Sequence, residues 1–201
     1  SFAKNHGLTP AQAASDAARR NDPLGVTASK VYEAYEKILR KTGALDFDDL
    51  MLRAVQVLKE FPDARARWQE RFRHIHVDEY QDTNRVQYDL LRLLVGEARN
   101  LCVVGDEDQS IYRWRGADIG NILRFDEDYP GARVVRLEEN YRSTQKILDA
   151  AAGVVANNKR RLGKNLKTTR AAGENLGFFE ARDSKAEAEY VADRIRILHA
   201  D

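Results

Sequence analysis

The sequence predicts an α/β fold organised around a parallel sheet, and two observations carry that prediction. Two short apolar runs, His74-Ile75-His76-Val77 and Leu101-Cys102-Val103-Val104, each end in acidic residues: Asp78-Glu79-Tyr80-Gln81-Asp82-Thr83 after the first, Gly105-Asp106-Glu107-Asp108-Gln109 after the second. Between them lies a segment with apolar residues at helical spacing, and strand, helix, strand in that order is the pattern of a βαβ unit with a buried parallel sheet. Ligands of such sheets bind beyond the carboxyl ends of the strands, where both acidic clusters fall.

Composition narrows the class. The 201 residues can bury a core in one large domain or two small ones. With 33 basic and 32 acidic residues the formal net charge is +1, so any nucleic-acid binding must come from a local patch. The single cysteine, Cys102, can form no disulfide within the chain, which fits a reducing compartment. No apolar run approaches the roughly 18 residues needed to span a bilayer. With no signal peptide at the start, the expectation is a cytoplasmic protein without a membrane partner.

Taken in order, residues 1–43 read as helical. Thr9 and Pro10 suit an N-cap and first position, and Asn21-Asp22-Pro23 breaks the Ala-rich run that follows. Ser29 is expected to cap a second helix with Val31, Tyr35 and Ile38 on one face, ended by Gly43. Asp46-Phe47-Asp48-Asp49-Leu50 starts another helix, with Leu50, Met51, Ala54, Val55 and Leu58 at helical spacing up to Pro62. Carboxylates there serve the helix start better than a metal. Trp68 to Phe72 reads as a core-facing helical stretch.

Thr83 or Asn84 caps the helix carrying Val86, Leu90, Leu91, Leu94 and Val95, closed by Gly96. His74 and His76 flank the first strand without a third ligand for zinc. Further on, Asp128-Tyr129-Pro130-Gly131 reads as a turn and junction, and residues 133–137 as a strand. Ser143 is expected to cap a helix with Ile147, Leu148, Ala151, Val154 and Val155. Lys159-Arg160-Arg161 with Lys164, Lys167 and Arg170 forms a basic, turn-rich stretch that reads as a solvated loop. Residues 177–181 read as a last strand, and Ser184-Lys185-Ala186-Glu187 as a capping box opening a final helix.

The residues also suggest chemistry. Asp78 is suited to holding a hydrated Mg²⁺, and its neighbour Glu79 to orienting and deprotonating a water for attack on a phosphoryl group. An Asp-Glu pair is more often a solvated turn, so the pair alone leaves both readings open. Gln109 offers an amide at a strand end that can sense a γ-phosphate. Tyr112 and Trp114, interleaved with Arg113 and Arg115, offer a platform for unpaired bases and phosphates, or else a plug for the core.

Three stretches decide between these readings by resemblance. Asp78 to Thr83, Val103 through Ala117, and Leu137-Glu138-Glu139-Asn140-Tyr141-Arg142-Ser143-Thr144 resemble three consecutive motifs of superfamily 1 DNA helicases of the UvrD/Rep/PcrA type, in order and in spacing. The resemblance implies a partial RecA-like P-loop NTPase parallel sheet with an N-terminal helical subdomain and the start of a second RecA-like domain. Residues 1–44 would be a helical accessory segment, 45–131 the C-terminal part of the first motor domain, and 132–201 the N-terminal part of the second.

The same resemblance implies ATP and Mg²⁺ as cofactors and single-stranded and partly duplex DNA as partner, with repair or replication proteins as further partners. Asp78 and Glu79 would serve Mg²⁺ and water, Gln109 and the finger Arg142 the γ-phosphate, and Tyr141 the adenine. Tyr112, Trp114 and Arg115 would contact single-stranded DNA. The implied activity is 3′-to-5′ translocation and unwinding driven by ATP hydrolysis.

No G-x-x-x-x-G-K-[ST] loop occurs in these 201 residues, so the chain reads as an internal piece of such a helicase that does not hydrolyse ATP alone. Two other readings remain: a metal-dependent nuclease using Asp46, Asp48, Asp78 and Glu79, and a non-catalytic module that binds single-stranded DNA or docks a partner.

Overall fold

A computed structural model describes residues 2–159 and 161–200. Arg160 of the basic stretch lies outside the described residues. The chain divides into two compact units, Ser1–Val134 with Arg160–Leu162, and Val135–Lys159 with Gly163–Asp201.

The first unit begins with three helices, α1 (Phe2–Asn5), α2 (Pro10–Arg19) and α3 (Pro23–Thr42). Thr9 caps α2 in a reciprocal box with Gln12, and Pro10 takes the first position, where its missing N–H costs nothing. Helix α3 starts earlier than the sequence suggests: Asp22 accepts from the Gly25 N–H at 3.0 Å, and Pro23 follows it. Ser29 is therefore interior and buried, its hydroxyl donating to the Gly25 carbonyl at 2.8 Å. Gly43 ends α3 in the left-handed region at φ 64°. Val31, Tyr35 and Ile38, expected on a packing face, are exposed.

Helix α4 (Phe47–Glu60) opens with a capping box between Asp46 and Asp49 and packs against α6 (Arg85–Val95), capped in the same way by Asn84 and Gln87. Val55 and Leu58 from α4 and Val86, Tyr88 and Val95 from α6 are buried. The short helix α5 (Pro62–Arg71) buries nothing, contrary to expectation. Trp68 and Phe72 stack on one another at 5.3 Å, remain 38% and 43% exposed, and do not enter the core.

The strands β1 (Ile75–Val77) and β2 (Leu101–Val103) pair in parallel, with Ile75 opposite Leu101, His76 opposite Cys102 and Val77 opposite Val103. Ile75, Val77, Leu101 and Val103 are half-buried while His76 and Cys102 are exposed, so one face of the pair is open and not buried as predicted. After β2 come two tight turns, Glu107–Gln109 and Arg113–Arg115, then the short helices α7 (Gly120–Leu123) and α8 (Phe125–Asp128).

One buried feature joins distant parts of this unit. Lys4, 2% exposed at its side chain, lies 2.6 Å from Glu36 and 2.9 Å from both Asp46 and Asp49. Burial, which would lower the ammonium pKa, is outweighed by its hydrogen bonds to Glu36, Asp46 and Asp49, so the pKa is raised.

The second unit contains α9 (Gln145–Val155) and α10 (Ser184–Ala200). Neither predicted strand forms: residues 133–137 and 177–181 belong to no ladder, and the one pairing in this unit among the described residues is a bridge between Glu139 and Lys167. A strand needs a neighbour to satisfy its N–H and C=O groups, and these segments find none. Both serine caps are displaced by one residue. Thr144 precedes α9, and Asp183 accepts from the Ala186 N–H at 2.8 Å ahead of α10. Leu148 is the one buried apolar side chain among the described residues of this unit.

Candidate functional site

The polar residues beyond the strand ends are joined through Gln81. At the end of β1 the backbone turns sharply: Glu79 adopts φ 50°, ψ 45°, in the left-handed region that non-glycine residues seldom occupy. The Glu79 N–H is held by Asp78 Oδ1 at 2.9 Å, and the tight turn Tyr80–Asp82 follows. Gln81 in that turn is 1% exposed. Its Nε2 donates to Glu79 Oε2 at 2.6 Å, and its Oε1 accepts from the Asp106 N–H at 3.0 Å, so one amide side chain ties the first acidic turn to the second. Only this orientation of the amide serves both partners.

Asp106 extends the chain of bonds. Its Oδ1 accepts from the Asp108 N–H at 3.0 Å and its Oδ2 from Gln109 Nε2 at 2.7 Å. The carboxylate of Glu79 and the amide of Gln109 are thus linked by side chains and backbone with no solvent step. Gly105 permits the approach, since a Cβ there would stand 2.6 Å from Gln81 Oε1 and 2.9 Å from Ile122 Cδ1.

Asp82 completes the acidic turn and lacks a partner where one is expected. Its Oδ1 is buried without a hydrogen bond, and burial followed by the charge of Glu79 raises its carboxyl pKa. A cation, or water held by one, would relieve both conditions. Among the described residues no three His, Cys, Asp or Glu side chains group closely enough to hold a metal unaided. The carboxylates of Asp78 and Glu79 in the same turn fit Mg²⁺, which keeps waters and takes phosphate oxygens as well as one or two carboxylates.

The turn Arg113–Arg115 carries the aromatic residues outward. Trp114 is 72% exposed and Tyr112 39%, their ring centroids 6.4 Å apart. The Arg115 guanidinium lies 4.8 Å from the Trp114 centroid and 5.6 Å from that of Tyr112, so the three form one cationic and aromatic surface. Trp114 is therefore no plug for the core of this unit. Gly116 reverses the chain at φ 90°, and Asn5 of α1 holds the turn, its Nδ2 donating to the Arg115 carbonyl at 3.2 Å. Asn5 Oδ1 in turn accepts from Asn84 Nδ2 at 3.3 Å. The Thr83 carbonyl receives both the Asp118 N–H at 3.0 Å and Asn121 Nδ2 at 3.1 Å, binding the aromatic loop to the end of the acidic turn.

Tyr141 and Arg142 lie in the second unit, next to Asn140, whose Oδ1 accepts the N–H groups of Arg142 at 3.0 Å and Ser143 at 2.7 Å. Arg170 donates to the Arg142 carbonyl at 2.6 Å. Tyr141 is 74% exposed, and its hydroxyl pKa is raised by a hydrogen bond to Glu139.

Of the predicted residues, the first unit brings Asp78, Glu79 and Gln109 into one bonded group and Tyr112, Trp114 and Arg115 into another. Sequence reasoning passed over Gln81, Asp82, Asp106 and Asn5. Gln81 and Asp82 stand inside the first acidic motif, but burial of a polar residue in a turn leaves no periodic trace. Asp46, offered as a metal ligand in the nuclease reading, is engaged by Lys4 and by the cap of α4.

Acidic turns at the carboxyl ends of parallel strands, tied to each other and to an exposed aromatic turn, place the molecule among α/β proteins whose ligands sit beyond the strand ends. The family model described as UvrD/REP helicase N-terminal domain matches residues 1–130, and that described as UvrD-like helicase C-terminal domain matches residues 135–201. The chain belongs to the UvrD/REP helicase family, and its parallel pair fits a partial RecA-like fold. Similar proteins include the ATP-dependent DNA helicases PcrA of Staphylococcus epidermidis and Staphylococcus aureus, each 47% identical over 192 residues, 96% of this chain. The chain spans 26% of the length of these relatives.

Proposed function

We propose that the full-length protein carrying this sequence is an ATP-dependent DNA helicase that moves 3′ to 5′ on single-stranded DNA and unwinds duplex ahead of it. The observation that carries this reading is the hydrogen-bonded path from Glu79 through Gln81 and Asp106 to Gln109, set beside an exposed Tyr112, Trp114 and Arg115. Hydrolysis driving movement needs a water-activating carboxylate, a sensor of the phosphate and a surface for bases. The path supplies the first two, and the aromatic turn the third. The relatives' names, ATP-dependent DNA helicase, support the helicase part of this reading and say nothing of direction.

In it, residues 1–44 are the accessory helical segment, 45–131 the end of the first motor domain and 132–201 the start of the second. Glu79, held by Gln81, orients and deprotonates the attacking water. Gln109 senses the γ-phosphate, and its bond to Asp106 transmits that state to the turn leading to Trp114. Arg142 reaches the γ-phosphate and Tyr141 stacks on the adenine. Asp78 and Glu79 would hold Mg²⁺, which when bound neutralises charge on the phosphates. A protein of this kind works in the cytoplasm beside repair or replication proteins.

Substituting Glu79→Gln in the full-length protein is the test. The amide is nearly isosteric but cannot act as a base, so nucleotide binding should persist while DNA-stimulated hydrolysis falls by about 10²–10⁴-fold. Parallel loss of binding and turnover would overturn the role. The 201-residue chain alone, without a phosphate-binding loop, should show no turnover above its own Glu79→Gln control.

A further inference from the structure

Arg161 and Leu162 belong to the first unit, although 53 residues of chain separate Arg161 from the carboxylate it grips. Arg161 Nε lies 2.8 Å from Asp108 Oδ1 and 3.2 Å from Oδ2, and Nη2 lies 2.7 Å from Oδ2. The guanidinium thus meets both oxygens of one carboxylate, and the two side chains are 24% and 6% exposed. The next residue adds a second hold: the Leu162 N–H donates to Glu107 Oε1 at 3.0 Å. Glu107 and Asp108 are the two residues immediately before Gln109 in the same tight turn.

An ordinary exposed ion pair contributes little and fixes nothing. This pair differs, because a planar fork on a carboxylate removed from solvent sets direction as well as distance. Its location also matters. From the strand side the turn is fixed by Asp106, which takes the Asp108 N–H at 3.0 Å and Gln109 Nε2 at 2.7 Å. From the other side it is fixed by Arg161 and Leu162. The Gln109 amide is therefore presented from a turn clamped at both ends of its side-chain set.

The geometry points to Arg161 as a positioning residue for Gln109: by gripping Asp108 it holds the turn from which the Gln109 amide faces the phosphate. This rests on the reading that Gln109 senses the γ-phosphate. A lysine carries the same charge but cannot span both oxygens with a rigid fork, so it restores the role only in part.

The experiment compares Arg161→Ala, Arg161→Lys, Gln109→Ala and the double substitution Arg161→Ala with Gln109→Ala in the full-length protein. DNA-stimulated kcat, KM for ATP, melting and amide hydrogen exchange over residues 106–110 are measured. Arg161→Ala should speed that exchange and lower kcat about tenfold while leaving KM for ATP nearly unchanged, as expected when a group acting in the transition state is misaligned. Arg161→Lys should fall between. The double substitution should be no slower than Gln109→Ala alone, since both act through one amide.

Unchanged exchange, additive losses in the double substitution, or losses of kcat that merely follow a falling melting temperature would each overturn the proposal. If Arg161→Ala does not fold, Asp108→Asn releases the same grip and carries the same expectations. Gln109→Ala turning over at the unmodified rate would overturn the sensor reading instead, and the exchange over 106–110 would still decide whether Arg161 holds the turn.

Discussion

The two units hold their functional residues in different ways. In the first, Val55, Leu58, Tyr80, Val86, Tyr88, Val95 and Ile122 are buried, and Glu79, Gln81, Asp106 and Gln109 hang on side-chain bonds above that core. In the second, among the described residues, Leu148 alone is a buried apolar side chain, and Tyr141 and Arg142 are exposed, positioned through backbone groups by Asn140 and Arg170. Orientation of a reactive side chain is inherited from packing beneath it. Where few apolar side chains are buried among the described residues, single hydrogen bonds do the setting, the Arg142 N–H donating to Asn140 Oδ1 and the Tyr141 hydroxyl bonding to Glu139.

That contrast can be broken most severely at Lys4. Lys4→Met leaves three carboxylates around an uncharged stem and should cost about 3–5 kcal/mol of stability, the usual result of removing one partner from a buried ionic group. Denaturant melts would measure it, and the transition of the first unit should move while α9 and α10 of the second keep theirs. Melting of both together would show that the units share one cooperative core.

A smaller effect separates binding from stability. Trp114→Ala in the full-length protein should weaken single-stranded DNA binding by about 1–3 kcal/mol. Because the ring is 72% exposed, melting should stay nearly unchanged, with none of the roughly 3–5 kcal/mol cost of emptying an aromatic core site. A mutant that melts far earlier yet binds single-stranded DNA normally when folded would remove the base-stacking role.

The smallest effect concerns Asp82, and its sign is unusual for a carboxylate. A carboxyl pKa raised in the folded state means that the charged form is disfavoured there, so Asp82 subtracts stability at neutral pH, and the penalty shrinks as pH falls below the raised value and is gone below the ordinary carboxylate value. Asp82→Asn should therefore raise the melting temperature of the chain slightly at pH 7, with the gain shrinking on acidification. A loss of stability at pH 7 would show that an unobserved donor already satisfies Oδ1.

Much of this was legible from local signals. Thr9, Asp46 and Asn84 announce their helices through a side chain three residues from its partner, and the two apolar runs with acidic ends locate the parallel pair. Caps were misread where several polar residues stand together: Thr144 and Asp183 took positions assigned to Ser143 and Ser184, and Asp22 made Ser29 redundant. Residues 133–137 and 177–181 have strand composition, yet composition cannot supply a neighbouring strand. Least legible were bonds between distant residues. Lys4 meets Glu36, Asp46 and Asp49, and Arg161 meets Asp108, across separations that no period or spacing encodes.

The parallel pair has one further consequence. With β1 and β2 forming a sheet of two strands, each has an outer edge whose N–H and C=O groups no third strand covers among the described residues, beside an open face carrying His76 and Cys102. Such edges template pairing with another chain. At three residues apiece these edges are short, which limits such pairing, and Cys102 on the open face is the exposed thiol that an alkylating reagent would reach.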